Sequence, residues 1–317
     1  MIDFRCCFRQ RSLVLFILLW SAVFFAGVVD QAVLLPMVAW HSEEIAHVTI
    51  ARSHAAGVSF SPSVCERASS NKFDQIYKSG KWGPPVLAHG PEYFYADAQW
   101  PPPARVSASG GGSNLGSSTL KSLAILKDVI ANYGVKSMID VPCGDVNWIF
   151  DSYATDSLPL YLGLDITQDV INMDIKRFAH HSNKHFMYWD AANCSFPKFQ
   201  MESSAELQPF ELVHVRDVIQ HLPLEDGFRY ICNVLQSGAR VFVTTTFPKN
   251  NRNRNIEAGK HYHNNLHKPP FSFPQVNSTV CRETHPLHEA DSTCVYNLTE
   301  PWVADYIVEK CIATTAE

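Results

Sequence analysis

What this 317-residue chain lacks narrows it before anything it contains does. It has no basic excess: 26 lysines and arginines face 31 aspartates and glutamates, a formal charge of −5. No positive field is there to gather nucleic acid, so DNA and RNA are not expected as partners. No internal repeat of solenoid period is present, which excludes a stacked-repeat architecture and leaves one main domain for this length. Low complexity is confined to Pro101–Pro103 and Ser109–Ser118. No G-x-G-x-x-G turn occurs, which argues against hydride chemistry on a dinucleotide. No C-x-x-C spacing suggests zinc, and no metal is expected at the site. A D-x-D triad, expected of a metal-assisted nucleotide-sugar transferase, is also missing.

What is present begins with Leu13–Val29, an uncharged apolar run close to the length that crosses a bilayer. Arg5, Arg9 and Arg11 precede it and Asp30, Glu43 and Glu44 follow, so the charge bias keeps the N-terminus cytosolic and sends the rest across. The expected organisation is a cytosolic tail over 1–12, a transmembrane signal-anchor over 13–35, a stem over 36–70 and a main domain over 71–317. That is a single-pass type II protein of the endoplasmic reticulum or Golgi with a lumenal domain. A cleaved signal peptide ending at Ser21–Ala22 or Ala26–Gly27 competes with this reading. Three N-glycosylation sequons start at Asn193, Asn277 and Asn297. Beyond the anchor stand Cys65, Cys143, Cys194, Cys232, Cys281, Cys294 and Cys311, an odd set that leaves a thiol over, with Cys281 and Cys294 the expected disulfide.

From Ser109 the pattern becomes regular. A helix capped by Ser117 or Ser118 carries Leu123, Leu126, Ile130 and Tyr133 on one face. Strands are then expected at 137–141, 160–164, 185–188, 212–215 and 240–245, with helical segments between most of them. Short apolar strands alternating with helices call for an α/β fold with a doubly wound parallel sheet, whose ligands sit beyond the carboxyl ends of the strands.

The polar residues cluster at those ends. After the first strand comes Asp140-Val141-Pro142-Cys143-Gly144-Asp145-Val146-Asn147-Trp148; Asp165 closes the second strand and Asp190 follows the third. This arrangement resembles motif I and its following acids in the class I S-adenosylmethionine-dependent methyltransferases. The turn itself resembles that of a little-characterised family within them, with a D-V-P-C-G-D-x-N-W signature. In that family Pro142 and Val146 in place of glycines are the norm. The resemblance extends through Asn71–Tyr77, Lys81–Gly83, Arg216–Leu222, Thr244–Pro248 and Asn264–Pro274, and is loose after Val276. It implies a Rossmann-like methyltransferase sheet with flanking helices, behind one transmembrane helix, and S-adenosyl-L-methionine as cofactor. The implied cofactor contacts are Asp140, Pro142, Cys143, Gly144, Asp145 and Trp148 at the turn, Asp165 and Ile166 at the ribose, and Asp190 and Ala191 at the adenine. Arg216 would face substrate and sulfonium.

Methylating a hydroxyl needs a group that takes its proton. Asp217 and His221 are the candidates, with Arg216 beside them. The alternative makes His221 a packing residue and Asp217 the structural partner of Arg216. The polar stretch Asn250–Pro274 reads as a substrate lid, as a metal site built on His261, His263 and His267 near Glu257, or as a solvated loop. A lumenal location suggests a glycan hydroxyl as acceptor, with Trp82, Tyr93, Tyr95 and Trp100 able to stack on a sugar. A lipid or another small hydroxyl-bearing molecule is the rival acceptor, and a non-catalytic binding protein of the same fold the rival function. Asn193, three residues past Asp190, is expected to stay unglycosylated if the cofactor binds. Oligomeric state is not legible.

Overall fold

The computed structural model describes residues 57–61, 65, 71–84, 106–284 and 291–312. The tail over 1–12, the anchor over 13–35, nearly all of the stem, and Tyr93, Tyr95 and Trp100 lie outside them. Among the described residues no helix is long and apolar enough to cross a membrane.

Five strands form the parallel part of the sheet: β2 Ser137–Asp140, β3 Leu160–Asp165, β4 Lys184–Tyr188, β6 Leu212–Val215 and β7 Val241–Thr246. They match the five expected strands to within a residue or so, because each is an apolar run covered on both faces; β2, β3, β6 and β7 are buried throughout. Two further strands, β8 Val280–Glu283 and β9 Ser292–Asn297, complete a seven-stranded sheet ordered β4-β3-β2-β6-β7-β9-β8, with β9 antiparallel to β7 and β8 antiparallel to β9. From β2 the chain winds outward one way through β3 and β4, then returns beside β2 and winds the other way through β6 and β7. That reversal makes a crevice at the carboxyl ends of β2 and β6, the place where such Rossmann-like sheets hold ligands.

Helix α1 spans Lys72–Ser79, α2 Ser117–Tyr133, α3 Tyr153–Asp156, α4 Gln168–Arg177, α5 Leu224–Gln236 and α6 Pro301–Tyr306. Helix α2 buries Leu123 and Leu126 as its stripe demands, together with Ile125 and Val129. Its N-cap is Gly116, one residue ahead of the serines expected there. Thr119 at the third helical position explains the difference: its Oγ1 accepts from the Gly116 N–H at 2.8 Å, while the Ser118 hydroxyl is engaged by Arg216.

Outside the main sheet, β1 Val58–Phe60 pairs antiparallel with β5 Phe199–Met201, a pairing between short distant segments with no periodic signal. Three disulfides are present. Cys281–Cys294 joins directly opposed residues of β8 and β9, as expected; Cys232–Cys311 ties α5 to the turn after α6; Cys65–Cys194 ties residue 65 to the loop after β4. The thiol left over is Cys143, buried beneath the first turn.

Candidate active site

The turn after β2 is shaped by a cis Val141–Pro142 bond and by Gly144 at φ +57°. Glycine is required there twice over: the left-handed backbone disfavours any Cβ, and one would come within 2.3 Å of the Ser109 Oγ. The backbone amide of Gly144 donates to Asp165 Oδ2 at 3.1 Å, and that of Thr167 donates to Oδ1 at 2.8 Å. Burial nonetheless dominates the Asp165 carboxyl, which is pushed up to about 6 against the pull of these amides. Asp190 is held one strand over: Ala192 N–H donates to its Oδ1 at 3.2 Å, the Asn193 side-chain amide to its Oδ2 at 2.7 Å, and its own N–H reaches Cys65 Sγ at 3.2 Å.

Asp165 and Asp190 line a common cleft. Pro142, Ile166, Ala191, Asp217 and His221 line it as well. The other residues that the motif implied stand behind this surface. Asp140 is fully engaged by His214 Nδ1 and the Tyr161 hydroxyl, each at 2.7 Å. Asp145 accepts from Ser107 Oγ and Ala108 N–H, both at 2.8 Å, and so pins the 107–109 segment over the turn. Trp148 packs under the Arg216 guanidinium at 5.0 Å, and Cys143 is buried. Asp140, Cys143, Asp145 and Trp148 therefore shape the turn without lining the cleft.

Strand β6 delivers the remaining polar groups. Arg216 is drawn inward, donating to Gly112 O at 2.9 Å and pairing with Asp217 Oδ2 at 3.0 Å; it supports the cleft from behind. Asp217 sits at φ +56°, a strained left-handed position that Asp tolerates better than most residues. Burial opposes its ionisation, but Arg216, the Gln220 amide and His221 outweigh burial and hold the carboxyl below its usual range. Asp217 and His221 line the same cleft, brought together by a short 3₁₀ turn, Ile219–His221. Burial is also the main influence on His221, depressing its pKa with a smaller push from Lys81, against the Lys260 carbonyl and Asp217. Its Nδ1 lies 2.7 Å from the Lys260 carbonyl oxygen. A carbonyl only accepts, so the proton is on Nδ1 and Nε2 carries the lone pair.

The motif assigned no role to Phe73, Tyr77 and Trp82, which come from α1 and the segment after it and form one wall of the cleft; Trp189 and Tyr230 also line it. Tyr230 was hidden on the buried face of α5, where its hydroxyl donates to Val141 O at 2.7 Å. The segments holding Phe73, Tyr77 and Trp82 belonged to the family resemblance, which was the one available signal.

The 250–274 stretch is folded down by its asparagines. Asn253 donates through its side chain to the carbonyls of Asn265, Lys268 and Pro269, and Asn265 donates to those of Pro248 and Asn250. One part reaches the cleft: Gly259 N–H donates to His221 O at 2.8 Å and Tyr262 N–H to Gln220 O at 3.0 Å. The rings of His261 and His263 are 5.3 Å apart, but His267 Nδ1 is bound to Phe273 O at 3.0 Å. Among the described residues no three histidine, cysteine or acidic side chains are grouped as metal ligands.

No known family profile and no curated protein matches the chain. Solved structures do. The N-methyltransferase NodS from Bradyrhizobium japonicum, crystallised with S-adenosyl-L-homocysteine, is 13% identical with a TM-score of 0.43, over 71% of this chain and 99% of that one. Magnesium protoporphyrin IX methyltransferase from Synechocystis, crystallised with S-adenosylmethionine, is 12% identical with a TM-score of 0.41, over 72% of this chain and 98% of that one. Likeness at this level assigns neither substrate nor reaction to this chain.

Proposed function

We propose that this protein is an S-adenosylmethionine-dependent methyltransferase that O-methylates a glycan hydroxyl in the lumen of the endoplasmic reticulum or Golgi. One observation carries the reading: Asp165 and Asp190, from the ends of successive strands, share a single cleft with His221. A nucleoside cofactor needs a carboxylate for its ribose hydroxyls, as in dinucleotide sites, and Asp165 stands where that acid is needed. The residues present fit such a group in a further respect. The buried indole N–H of Trp189, on the cleft wall, finds no acceptor among the described residues and is a donor left for a ligand.

When bound, the cofactor supplies a methyl group on positively charged sulfur. The chain's own task is to orient the acceptor and take its proton. His221, neutral and with Nε2 as its acceptor atom, is suited to receive that proton. Asp217, held ionised, places a negative charge beside the imidazolium that results. Its depressed pKa makes Asp217 itself a poor base, so the two candidates divide into base and electrostatic support. The lumenal setting is supported by three disulfides, which persist in oxidising compartments, and by the apolar run that follows three arginines.

Calorimetry of the purified protein with S-adenosylmethionine, followed by labelled-methyl transfer to glycan, lipid and protein panels, tests this. Heat with the cofactor and label on glycans is expected. Absence of heat removes the enzymatic reading, whereas label on lipid alone removes only the acceptor.

A further inference from the structure

The cleft is lined by unlike groups: Asp165, Ile166, Asp190 and Ala191, assigned to the nucleoside, and Phe73, Trp82, Val218 and Leu222 with His221. Its rings continue outward as a chain: Trp82 to His221 with centroids 5.0 Å apart, His221 to His261 at 5.4 Å, and His261 to His263 at 5.3 Å. The base is thus one ring in a row that starts inside the cleft and ends on exposed imidazoles.

The charged side chains that line the cleft all have one sign. Asp165, Asp190 and Asp217 line the cleft, and no lysine or arginine among the described residues does. Of the cations nearby, Arg216 pairs with Asp217 at 3.0 Å, Lys260 pairs with Glu257 at 3.2 Å, and Lys81, though it acts on His221, is exposed and absent from the lining. An acceptor carrying a carboxylate, sulfate or phosphate would enter a space lined by three carboxylates and, among the described residues, by no cation. A saturated ring with an apolar C–H face and hydroxyls around its edge meets what is there: ring faces for the C–H side, and imidazole nitrogens for the hydroxyls.

We infer that the row Trp82–His221–His261 is the acceptor subsite and that it takes an uncharged pyranose, seated on Trp82 with one hydroxyl at His221 Nε2 and the rest of the glycan leading out over His261. This rests on the methyltransferase reading above and specifies its acceptor. Deprotonation and transfer balance within it: the hydroxyl oxygen gains the methyl carbon, its proton goes to His221 Nε2, and the carbon–sulfur bond of the cofactor breaks to leave a thioether.

The test uses the intact protein, S-adenosylmethionine with a labelled methyl group, and neutral pyranosides from mono- to tetrasaccharide beside their uronate and sulfate counterparts and a simple phenol. Neutral pyranosides are expected to exceed their anionic counterparts by about tenfold or more in kcat/KM. Trp82→Ala is expected to raise the acceptor KM by about tenfold, leaving the calorimetric Kd for the cofactor unchanged, and Trp82→Phe should recover most of the loss. His261→Ala, on an exposed side chain that does not threaten folding, should shift KM the same way for the longer glycans. Preference for anionic sugars or for the phenol overturns the inference, as does a cofactor-binding protein that labels no neutral pyranoside. In those cases cofactor binding persists and the methyltransferase reading stands; loss of cofactor binding in the unaltered protein brings down both.

Discussion

His221 Nδ1 and the carbonyl oxygen of Lys260 lie 2.7 Å apart, a bond that spans from the turn after β6 to the loop after β7. Its effect is to decide which nitrogen of the imidazole is basic. Two backbone bonds beside it, from Gly259 N–H and Tyr262 N–H, lock the loop to the same turn, so the tautomer is set by main-chain atoms that no side-chain substitution removes.

The first prediction concerns that ring. His221→Ala should lower kcat by about 10²–10⁴-fold, the usual worth of general-base catalysis, with the cofactor Kd little changed. Because burial depresses its pKa, His221 stays in its basic form below the ordinary histidine range. At saturating cofactor the acid limb of kcat should therefore fall below about pH 6.5. A limb above that value, or a variant of normal kcat, would remove His221 from the chemistry.

Cofactor affinity should have its own pH dependence, from Asp165. A carboxylate accepts hydrogen bonds from ribose hydroxyls through both oxygens; the protonated acid does so less well. Its pKa is raised to about 6, so affinity should be flat above neutrality and weaken as pH falls through 6, by up to about tenfold per pH unit. Calorimetric Kd values between pH 7.5 and 5 give the answer, and a flat profile would dissociate Asp165 from the ligand.

Asp140 separates scaffold from site. Its carboxylate receives two buried donors, from His214 and Tyr161, and it does not line the cleft. Asp140→Ala should cost about 1–3 kcal/mol for each donor left unpaired, visible in denaturant unfolding, while whatever folded protein remains binds cofactor with near-normal affinity. Stability unchanged with affinity lost would reverse this assignment.

The sequons should not be equivalent. The Asn193 amide nitrogen, the atom a glycan would occupy, donates to Asp190 at 2.7 Å, whereas Asn277 is exposed on a turn. Peptide mapping of protein expressed through a secretory pathway should find glycan at Asn277 and none at Asn193. Full occupancy at Asn193 with undiminished cofactor binding would show that this wall of the cleft lies elsewhere.

The parallel part of the sheet was legible in the sequence because its strands are largely buried apolar segments with acids near the ends of three of them, whereas β8, exposed along its length, and β9 were not expected. Asp165 and Asp190 were found by that rule and do share the cleft. Asp140 obeys the same rule, yet its carboxylate is bonded to His214 and Tyr161, each on a different strand, which no sequence spacing reveals. Of the wall contributed by Phe73, Tyr77 and Trp82, the sequence offered a role for Trp82 alone, as a ring able to stack on a sugar; Phe73 and Tyr77 had none, because their place depends on where a helix before the sheet comes to rest. The β1–β5 pair joins segments too short to show a period. The loop histidines were weighed for metal, yet the residues that fold that loop are its asparagines, through bonds to carbonyls that no sequence spacing reveals.

The Cys65–Cys194 bridge bears on when the protein becomes competent. One of its sulfurs accepts the Asp190 amide hydrogen and the other belongs to the loop that follows, so the bridge braces the cleft wall at Asp190. A copy with both thiols reduced would lack that brace. Completion of this wall of the cleft then depends on oxidation. A rise in the cofactor Kd on treatment with a dithiol, absent when only the Cys281–Cys294 bridge is removed by substitution, would register it.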